Sequence, residues 1–285
     1  MTNKVIGFIG AGNMGSAMIG GICKSGLVAP EQVIASDYSA TALKTLHSAY
    51  GIRTTRSNDE TVRESDILFL AIKPNKFAEV LPSISSALKK DCIIISIAAG
   101  QSISSIEMLL GSDIKLVRAM PNTPALVGES MSALCCNQHV SEEELFLAKQ
   151  LFECFGKAEI VSESMIDTVV GISGSSPAYV YMFIEAMADA AVADGMPRAM
   201  AYKFAAQSVL GSAKMILETG RHPGDLKDAV CSPGGTTIEA VASLEANGFR
   251  NAVITAQRAC VQKSKDMTGK KNERDCSKMN RCSVQ

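Results

Sequence analysis

The chain has 285 residues, with 28 Lys and Arg against 29 Asp and Glu, which gives a formal net charge of −1. At roughly 150 residues per domain, this length predicts about two domains, each with its own hydrophobic core. Hydrophobic residues make up 47% of the chain and charged residues 20%, which excludes disorder as the main state. The near-neutral charge, the absence of Trp and the 5% aromatic content argue against nucleic acid or a membrane as a partner.

Nine cysteines are scattered along the chain, with three His and no C-x-x-C pair. This pattern is typical of reduced thiols, and we expect neither disulfides nor a metal site. The N-terminus leads directly into a strand pattern without a charged and apolar leader. The longest apolar runs, around residues 67–72 and 92–99, are far below the roughly 18 residues that span a bilayer. The sequence therefore predicts a cytoplasmic protein.

Short apolar runs and helical spacings alternate through the first half of the chain. The apolar runs predict strands at residues 4–10, 32–36, 66–72, 92–98 and 114–119, and the spacings predict helices at 13–25, 40–50, 76–88 and 102–110. The strands are apolar throughout instead of alternating, which indicates a parallel sheet covered by helices on both faces. Segments 132–137, 141–155 and 157–161 are expected to complete this doubly wound α/β domain, residues 1–162.

Strand patterns end after about residue 163, and helical patterns follow at residues 165–194, 198–218, 236–244 and 249–264. The first of these is apolar nearly all round and is interrupted at residues 171–177. A helix that is apolar on every side must be buried on every side. We therefore expect an all-α domain, residues 163–266, that dimerises through its central helix. The polar tail, residues 267–285, has little periodicity and is predicted to be disordered.

A G-x-G-x-x-G pattern lies between the first predicted strand and the first predicted helix, with its glycines at Gly10, Gly12 and Gly15. Three glycines at this spacing also occur in ordinary tight turns, but the strand before them and the helix after them are the context of a dinucleotide site. Gly10 permits the turn, Gly12 lets the backbone approach a pyrophosphate, and Gly15 allows close packing of helix on strand. The helix N-terminus adds amide groups and a positive dipole.

An acidic residue, Asp37, follows the second predicted strand, 22 residues after Gly15. There it could accept hydrogen bonds from the adenosine ribose, which favours NAD over NADP, or it could be a turn residue that caps the next helix. Asn58 opens a predicted helix on the same rim and could reach the adenosine or serve only as the helix cap.

Three unusual short segments follow strands, at residues 73–75, 98–100 and 121–124. Each alone could be a plain loop. Because the carboxyl ends of parallel strands share one edge of the sheet, where ligands bind, their common position favours a site there.

The second domain has two further clusters, at residues 171–179 and 231–237. The later one places Gly234, Gly235 and the hydroxyls of Thr236 and Thr237 at a helix start, which suits a carboxylate or could be only a capped turn. Glu163, between the domains, could meet a ligand amine or be an ordinary first-turn acid. No His or Lys lies in these clusters, although oxidation of an alcohol needs such a base. Reduction of a cyclic imine is less demanding, because the imine is readily protonated in water.

Six segments together closely resemble the pyrroline-5-carboxylate reductase family over about residues 4–265. They are GFIGAGNMGSAM near the start, AIKP, AAG, MPNTP, GISGSSPAY and HPGDLKDAVCSPGGTTIEA. The resemblance implies NAD(P)H-dependent reduction of 1-pyrroline-5-carboxylate to L-proline, the last step of proline biosynthesis. It also implies a Rossmann domain followed by a helical domain that interleaves with a partner into a homodimer, often assembled into decamers.

The resemblance also assigns site residues. The pyrophosphate would be held by Ile9, Gly10, Ala11, Gly12, Asn13 and Met14, and the adenosine end would face Asp37 and Asn58. The nicotinamide side would be lined by Ala71, Ile72, Lys73, Pro74, Ile97, Ala98 and Ala99. The substrate would be bound by Glu163, Ser232, Gly234, Gly235, Thr236 and Thr237, and the Thr237 hydroxyl would bond the ring nitrogen.

Two positions depart from the family pattern. NADP-preferring members tend to carry a small hydroxyl residue where Asp37 stands, and Ser176 replaces the usual glycine of SGSGPAY. Two other functions remain open at this point. A β-hydroxyacid dehydrogenase needs a catalytic Lys where this chain has Val180, and a non-catalytic NAD(P)-binding sensor would leave the SPGGTT segment unexplained.

Overall fold

One eight-stranded sheet organises the first part of the chain in the computed structural model, which describes residues 3–282. Its strands are β1 (Ile6–Ile9), β2 (Val33–Ser36), β3 (Arg53–Thr55), β4 (Ile67–Leu70), β5 (Ile93–Ser96), β6 (Lys115–Met120), β7 (Ser130–Cys136) and β8 (Gly156–Ile160). The order of the strands is β3-β2-β1-β4-β5-β6-β7-β8. Of these neighbouring pairs, β6 and β7 are antiparallel and the others are parallel. Strand order reverses between β1 and β4, and ligands of such sheets bind beyond the strand ends at this point.

The helices of the first part cover both faces of the sheet. They are α1 (Asn13–Ser25), α2 (Ala40–Tyr50), α3 (Asn58–Glu64), α4 (Phe77–Ile84), α5 (Ile103–Leu110), α6 (Glu142–Glu153) and α7 (Ile166–Val169). A π-helical turn, Val170–Gly174, follows α7. The remaining helices are α8 (Ser176–Ala193), α9 (Arg198–Thr219), α10 (Pro223–Val230), α11 (Thr236–Ala246) and α12 (Phe249–Cys282).

The central strands are buried on both faces, as their continuous apolar runs predicted. On one face the Phe8 and Phe69 rings stack at a centroid distance of 4.5 Å, and Phe152 of α6 lies 5.9 Å from Phe69. On the other face Leu68 packs in a second core with Phe77 of α4. The predicted alternation of strands and helices is confirmed. The short strand β3 was missed because Arg53–Thr55 is polar and half-buried, without an apolar run.

The division between the two units lies later than the change of sequence pattern at residue 163. The first unit runs from the start of the chain to Ser175 and resumes at Cys260, and the second is Ser176–Ala259. Ile166 is buried in a core of the first unit, and the Asp167 carboxylate accepts a 2.6 Å hydrogen bond from Ser264. Loss of strand periodicity marks where the secondary structure changes, but these contacts keep residues 163–175 with the sheet.

The last helix extends beyond the point where the sequence predicted disorder. α12 continues through Cys282, so the prediction of a disordered tail differs from the structure over 267–282, and residues 283–285 lie outside the described residues. The segment lacks proline, and half of residues 267–282 are Lys, Arg, Met or Glu, which have good helix propensity. Extending an existing helix avoids the cost of nucleation. Within residues 3–282, no helix combines the length and apolar character that crossing a bilayer requires.

The second unit is helical, as predicted, and exposes many large apolar side chains. Tyr181, Met182 and Phe183 on α8 are 60%, 69% and 39% exposed, and Phe204 on α9 is 64% exposed. A single protein chain rarely leaves so large an apolar area in water unless a partner covers it.

A partly buried ion pair at the amino end of β6 predicts a pH-dependent contribution to stability. Burial raises the pKa of the Glu144 carboxyl, but hydrogen bonds from Lys115 and the Ser141 amide outweigh it and hold this pKa below its usual range. A folded-state pKa below the unfolded one stabilises the protein above the unfolded pKa, and this contribution is lost as pH falls through the folded pKa.

We therefore expect Glu144→Gln to lower the free energy of unfolding by about 1 kcal/mol at pH 7 and by less at pH 3.5. Urea unfolding of both proteins at the two pH values measures this difference. An equal loss at both pH values would contradict the assignment.

Candidate cofactor cradle and substrate loop

The glycine-rich loop between β1 and α1 needs glycine at two positions for steric reasons. Gly10 has a φ of +105°, and a Cβ there would lie 2.6 Å from the Ala71 carbonyl oxygen. A Cβ on Gly15 would lie 2.3 Å from the Gly10 carbonyl oxygen. At Gly12 the same construction meets no atom within 4 Å, so this position faces open space. The turn, the close packing and the open approach are the three roles predicted for these glycines.

The N-terminus of α1 is free to bind an anion. Gly12 is the N-cap residue and provides no side-chain acceptor for the first amides of the helix, and both Gly12 and Asn13 are exposed. Uncapped amides and the positive end of the helix dipole favour a phosphate at this position. The open face of Gly12 lies at the same place, so the residues present fit the pyrophosphate of a dinucleotide.

Asp37 is part of the loop's support. Its Oδ2 accepts a 2.7 Å hydrogen bond from the Ala11 amide, and its Oδ1 accepts a 2.8 Å bond from the Ser39 amide. Ser39, and not Asp37, caps α2, because its hydroxyl accepts from the Ala42 amide. The alternative that Asp37 caps this helix is therefore wrong, although the residue does close a turn. Its carboxylate lies between the end of β2 and the glycine-rich loop.

Asn58 lies at the same end of β2. It is the first residue of α3, and the cap is Ser57, whose hydroxyl accepts from the Glu60 amide. The interpretation of Asn58 as the helix cap is therefore wrong. Its Oδ1 accepts a 2.8 Å bond from the hydroxyl of buried Ser36. Because Ser36 directly precedes Asp37, the structure brings together the two residues that the sequence assigned to the adenosine side.

The two segments predicted to line the nicotinamide side follow β4 and β5. The Ala71 amide donates to Ile9 of β1, and the Ile97 amide donates to Leu70 of β4, which places both segments at the carboxyl edge of the sheet. The Gln101 side chain donates to the Pro74 carbonyl at 3.4 Å and joins the two segments. Ile72 and Ala99 are half-buried, Ala98 is buried and Lys73 is exposed.

Polar contacts that sequence reasoning did not predict hold the next part of this edge together. The Asn122 amide nitrogen donates to the carbonyl and hydroxyl of Ser173, and its carbonyl oxygen accepts from Ser130 and the Met131 amide. This network ties the π-helical turn to the loop after β6. Arg118 of β6, only 4% exposed, pairs with Glu163 at 2.8 Å. The sequence did contain a signal for this ion pair, because Arg118 is a charged residue inside the apolar run of a predicted strand.

The SPGGTT segment of the second unit forms a tight turn that leads into α11. The Gly235 amide donates to the Ser232 carbonyl at 3.0 Å, and Gly234, at φ +65°, takes the left-handed position that the turn requires. A Cβ on Gly235 would lie 2.3 Å from the Ser232 hydroxyl. The N-cap Gly235 offers no side-chain acceptor, so the first amides of α11 remain uncapped. In the described part of the chain, the Thr236 and Thr237 hydroxyls have no hydrogen-bond partner.

The serine at position 176, where the family pattern has glycine, fits the backbone. Ser176 is the first residue of α8, and no non-glycine residue in the described part of the chain has a positive φ. The helical backbone at this position therefore accepts a serine without strain.

Two family models match the chain. One, described as pyrroline-5-carboxylate reductase dimerisation, matches residues 163–267, and this match indicates an oligomer. The other, described as NADP oxidoreductase coenzyme F420-dependent, matches residues 5–100. The first begins at the residue where the strand patterns end, and the second covers the glycine-rich loop and both nicotinamide-side segments.

Curated relatives are similar over nearly the whole chain. The pyrroline-5-carboxylate reductase of Escherichia coli K12 is 54% identical over 265 residues, which is 93% of this chain and 98% of the relative. The one from Methanosarcina acetivorans is 47% identical over 271 residues, 95% of this chain and 100% of the relative.

Solved structures show the same similarity. Plasmodium falciparum pyrroline carboxylate reductase with NADP bound has a TM-score of 0.85 at 35% identity, covering 94% of this chain and 99% of its own. Mycobacterium tuberculosis 3-hydroxyisobutyrate dehydrogenase reaches a TM-score of 0.50 at 18% identity over 78% of this chain and 72% of its own, a likeness of fold alone. This chain therefore belongs to the pyrroline-5-carboxylate reductase family.

Proposed function

We propose that this protein is an oxidoreductase acting on CH-NH groups that reduces 1-pyrroline-5-carboxylate to L-proline with NADH or NADPH, the last step of proline biosynthesis. The observation that carries the proposal is the 54% identity with the Escherichia coli enzyme over 93% of this chain. The loop at residues 10–15 and the turn at residues 232–237 add the two sites that such a reaction requires.

The first unit binds and orients the cofactor, whose reduced nicotinamide supplies the hydride for the imine carbon. The uncapped amides at the start of α1 would hold the pyrophosphate, together with the loop residues Ile9, Gly10, Ala11, Gly12, Asn13 and Met14. Asp37 and Asn58, which both lie at the end of β2, bind the adenosine side. The nicotinamide side is lined by Ala71, Ile72, Lys73, Pro74, Ile97, Ala98 and Ala99.

The turn before α11 binds the substrate. Its uncapped amides and the Ser232 and Thr236 hydroxyls, together with Gly234 and Gly235, hold the carboxylate. As hydride arrives at the imine carbon, the electron pair of the C=N bond moves to nitrogen, and the Thr237 hydroxyl bonds that nitrogen. No strong general acid is needed, because the imine is protonated before the transfer. The role of Glu163 as a substrate ligand remains a prediction, and its contacts favour the different role argued below.

The functional form is a homodimer in which a second copy covers the apolar side chains of α8, and it can assemble further into a decamer of five dimers. The exposure of Tyr181 and Met182 supports the dimer. Light scattering on the purified protein should give an even number of chains, and a monomer at micromolar concentration would contradict it. A reducing, cytoplasmic location fits the cysteines whose side chains the structure describes, which are free thiols.

The purified protein is expected to oxidise NAD(P)H only when 1-pyrroline-5-carboxylate is added, with proline as the product. Absorbance at the nicotinamide band and amino-acid analysis measure the two changes. Binding of NAD(P)H without turnover would overturn the proposal and favour the sensor. Reduction of NAD(P)⁺ by 3-hydroxy acids is not expected, since Val180 stands where that chemistry needs a lysine.

A further inference from the structure

We propose that Glu163 is a positioning residue that holds the nicotinamide-side loop in place, and not a ligand of the substrate; this rests on the proposed function. Its Oε1 accepts two hydrogen bonds at 2.8 Å, from the Ile103 amide and from Nη1 of Arg118. Both donors belong to the same unit as Glu163, and both lie beside the loop of residues 97–101.

The Ile103 amide is the first amide of α5, the helix that directly follows this loop. Ser102 caps α5 by accepting from the Ser105 amide, and Glu163 satisfies a second amide of the same helix end. A carboxylate at a helix N-terminus also interacts favourably with the helix dipole. Glu163 thus fixes the point at which the loop ends.

Buried Gln101 ties the loop to the other nicotinamide-side segment. It is 4% exposed, its side-chain nitrogen donates to the Pro74 carbonyl, and its oxygen accepts from the Ser105 hydroxyl in the first turn of α5. A displacement of the start of α5 would therefore move both segments that line the nicotinamide side.

Arg118 reaches Glu163 from the sheet below the loop. It is paired in register with Ser96, the last residue of β5, from which the loop departs. A buried guanidinium needs a compensating charge, because burying an unpaired cation is costly. Among the described residues, the compensating charge comes from Glu163, whose carboxylate is the one that lies within 4 Å of the Arg118 guanidinium. The pair therefore fixes the Glu163 side chain towards β6 and α5.

The test separates the two roles by measuring cofactor binding without substrate. Glu163→Ala and Arg118→Met are each expected to weaken NADPH binding about tenfold, since small displacements of positioning groups have large effects. The double variant should bind NADPH no more weakly than either single variant, because both changes break the same ion pair. The KM for 1-pyrroline-5-carboxylate should stay within about twofold of wild type. Fluorescence titration with NADPH and steady-state kinetics provide the two measurements.

Two further variants keep the result interpretable. Glu163→Gln retains the carbonyl acceptor for Ile103 and should restore part of the binding, and it carries the test if Glu163→Ala does not fold. Glu144→Gln is the matched control, because it breaks the ion pair of Lys115 at the amino end of β6, three residues before Arg118, and it should bind NADPH like wild type.

A raised KM for the imine with unchanged NADPH binding would overturn the proposal and make Glu163 a substrate ligand. Unchanged values of both would overturn it too. A wild type that binds NADPH but never turns over the imine would instead defeat the proposed function, and the titration of the variants would still decide the role of Glu163.

Discussion

Replacing Thr237 by Ala is expected to lower kcat for reduction of 1-pyrroline-5-carboxylate about 100-fold. The reason is that the ring nitrogen gains an electron pair as hydride reaches the neighbouring carbon, and loss of one well-placed hydrogen-bonding group at such a centre costs about this much. Because the hydroxyl has no partner in the described part of the chain, its removal breaks no internal hydrogen bond. Stopped-flow or steady-state kinetics with saturating NADPH measure the loss.

Two variants bracket this result. Thr237→Ser keeps the hydroxyl and should retain most of the turnover, whereas Thr45→Ala removes an exposed helical hydroxyl on α2 that bonds only its own helix, and should change nothing. A melting temperature close to wild type would show that Thr237→Ala is folded. A loss of less than threefold would refute the role given to this hydroxyl.

Asp37 is expected to make NADH at least as good a cofactor as NADPH, and Asp37→Asn should shift the ratio of kcat/KM towards NADPH by about tenfold or more. A carboxylate beside the adenosine ribose repels a 2′-phosphate, and a penalty of about 1.4 kcal/mol is a factor of ten. The amide oxygen of Asn can still accept from Ala11, so the glycine-rich loop keeps its anchor.

Asp37 also supports the glycine-rich loop, and Asp37→Ala tests this second role. It removes the acceptor for the Ala11 amide and should weaken the binding of NADH and NADPH together. Asp113→Asn, in an exposed turn, is the charge-matched control. A wild type that prefers NADPH a hundredfold, or an Asp37→Asn protein with an unchanged ratio, would be incompatible with this assignment.

The sequence pattern predicted correctly those elements whose structure depends mainly on their own residues. The apolar run before Gly10 and the helical spacing after Asn13 gave β1 and α1, and the glycine spacing gave the loop between them. The hydrophobic period identifies such elements because burial of a continuous face outweighs weaker preferences. The alternation of these elements predicted a parallel sheet covered by helices on both faces, whereas the reversal of strand order between β1 and β4 was found only in the structure.

Features that depend on tertiary contacts were not available from the sequence. The hydrogen bond from Asp37 to Ala11 joins residues that no local pattern relates, and the antiparallel direction of β7 depends on its pairing with β6. Likewise, the spacing of Glu163 from Arg118 carries no signal, since their pairing depends on how β6 and the chain after β8 meet. The site was therefore predicted as a set of segments, and the bonds that hold those segments together were not.

The return of α12 to the first unit has a consequence for how the protein is made. Asp167 bonds Ser264, 97 residues later, and Ser175 bonds Cys260, 85 residues later. A ribosome adds about 5–20 residues per second, so several seconds separate the synthesis of the two sides of each contact. The nucleotide-binding unit thus emerges first but completes its packing last, after the whole of the second unit has left the ribosome. A chain halted near residue 250 would carry every residue of the cofactor cradle and still lack the helix that secures residues 166–175.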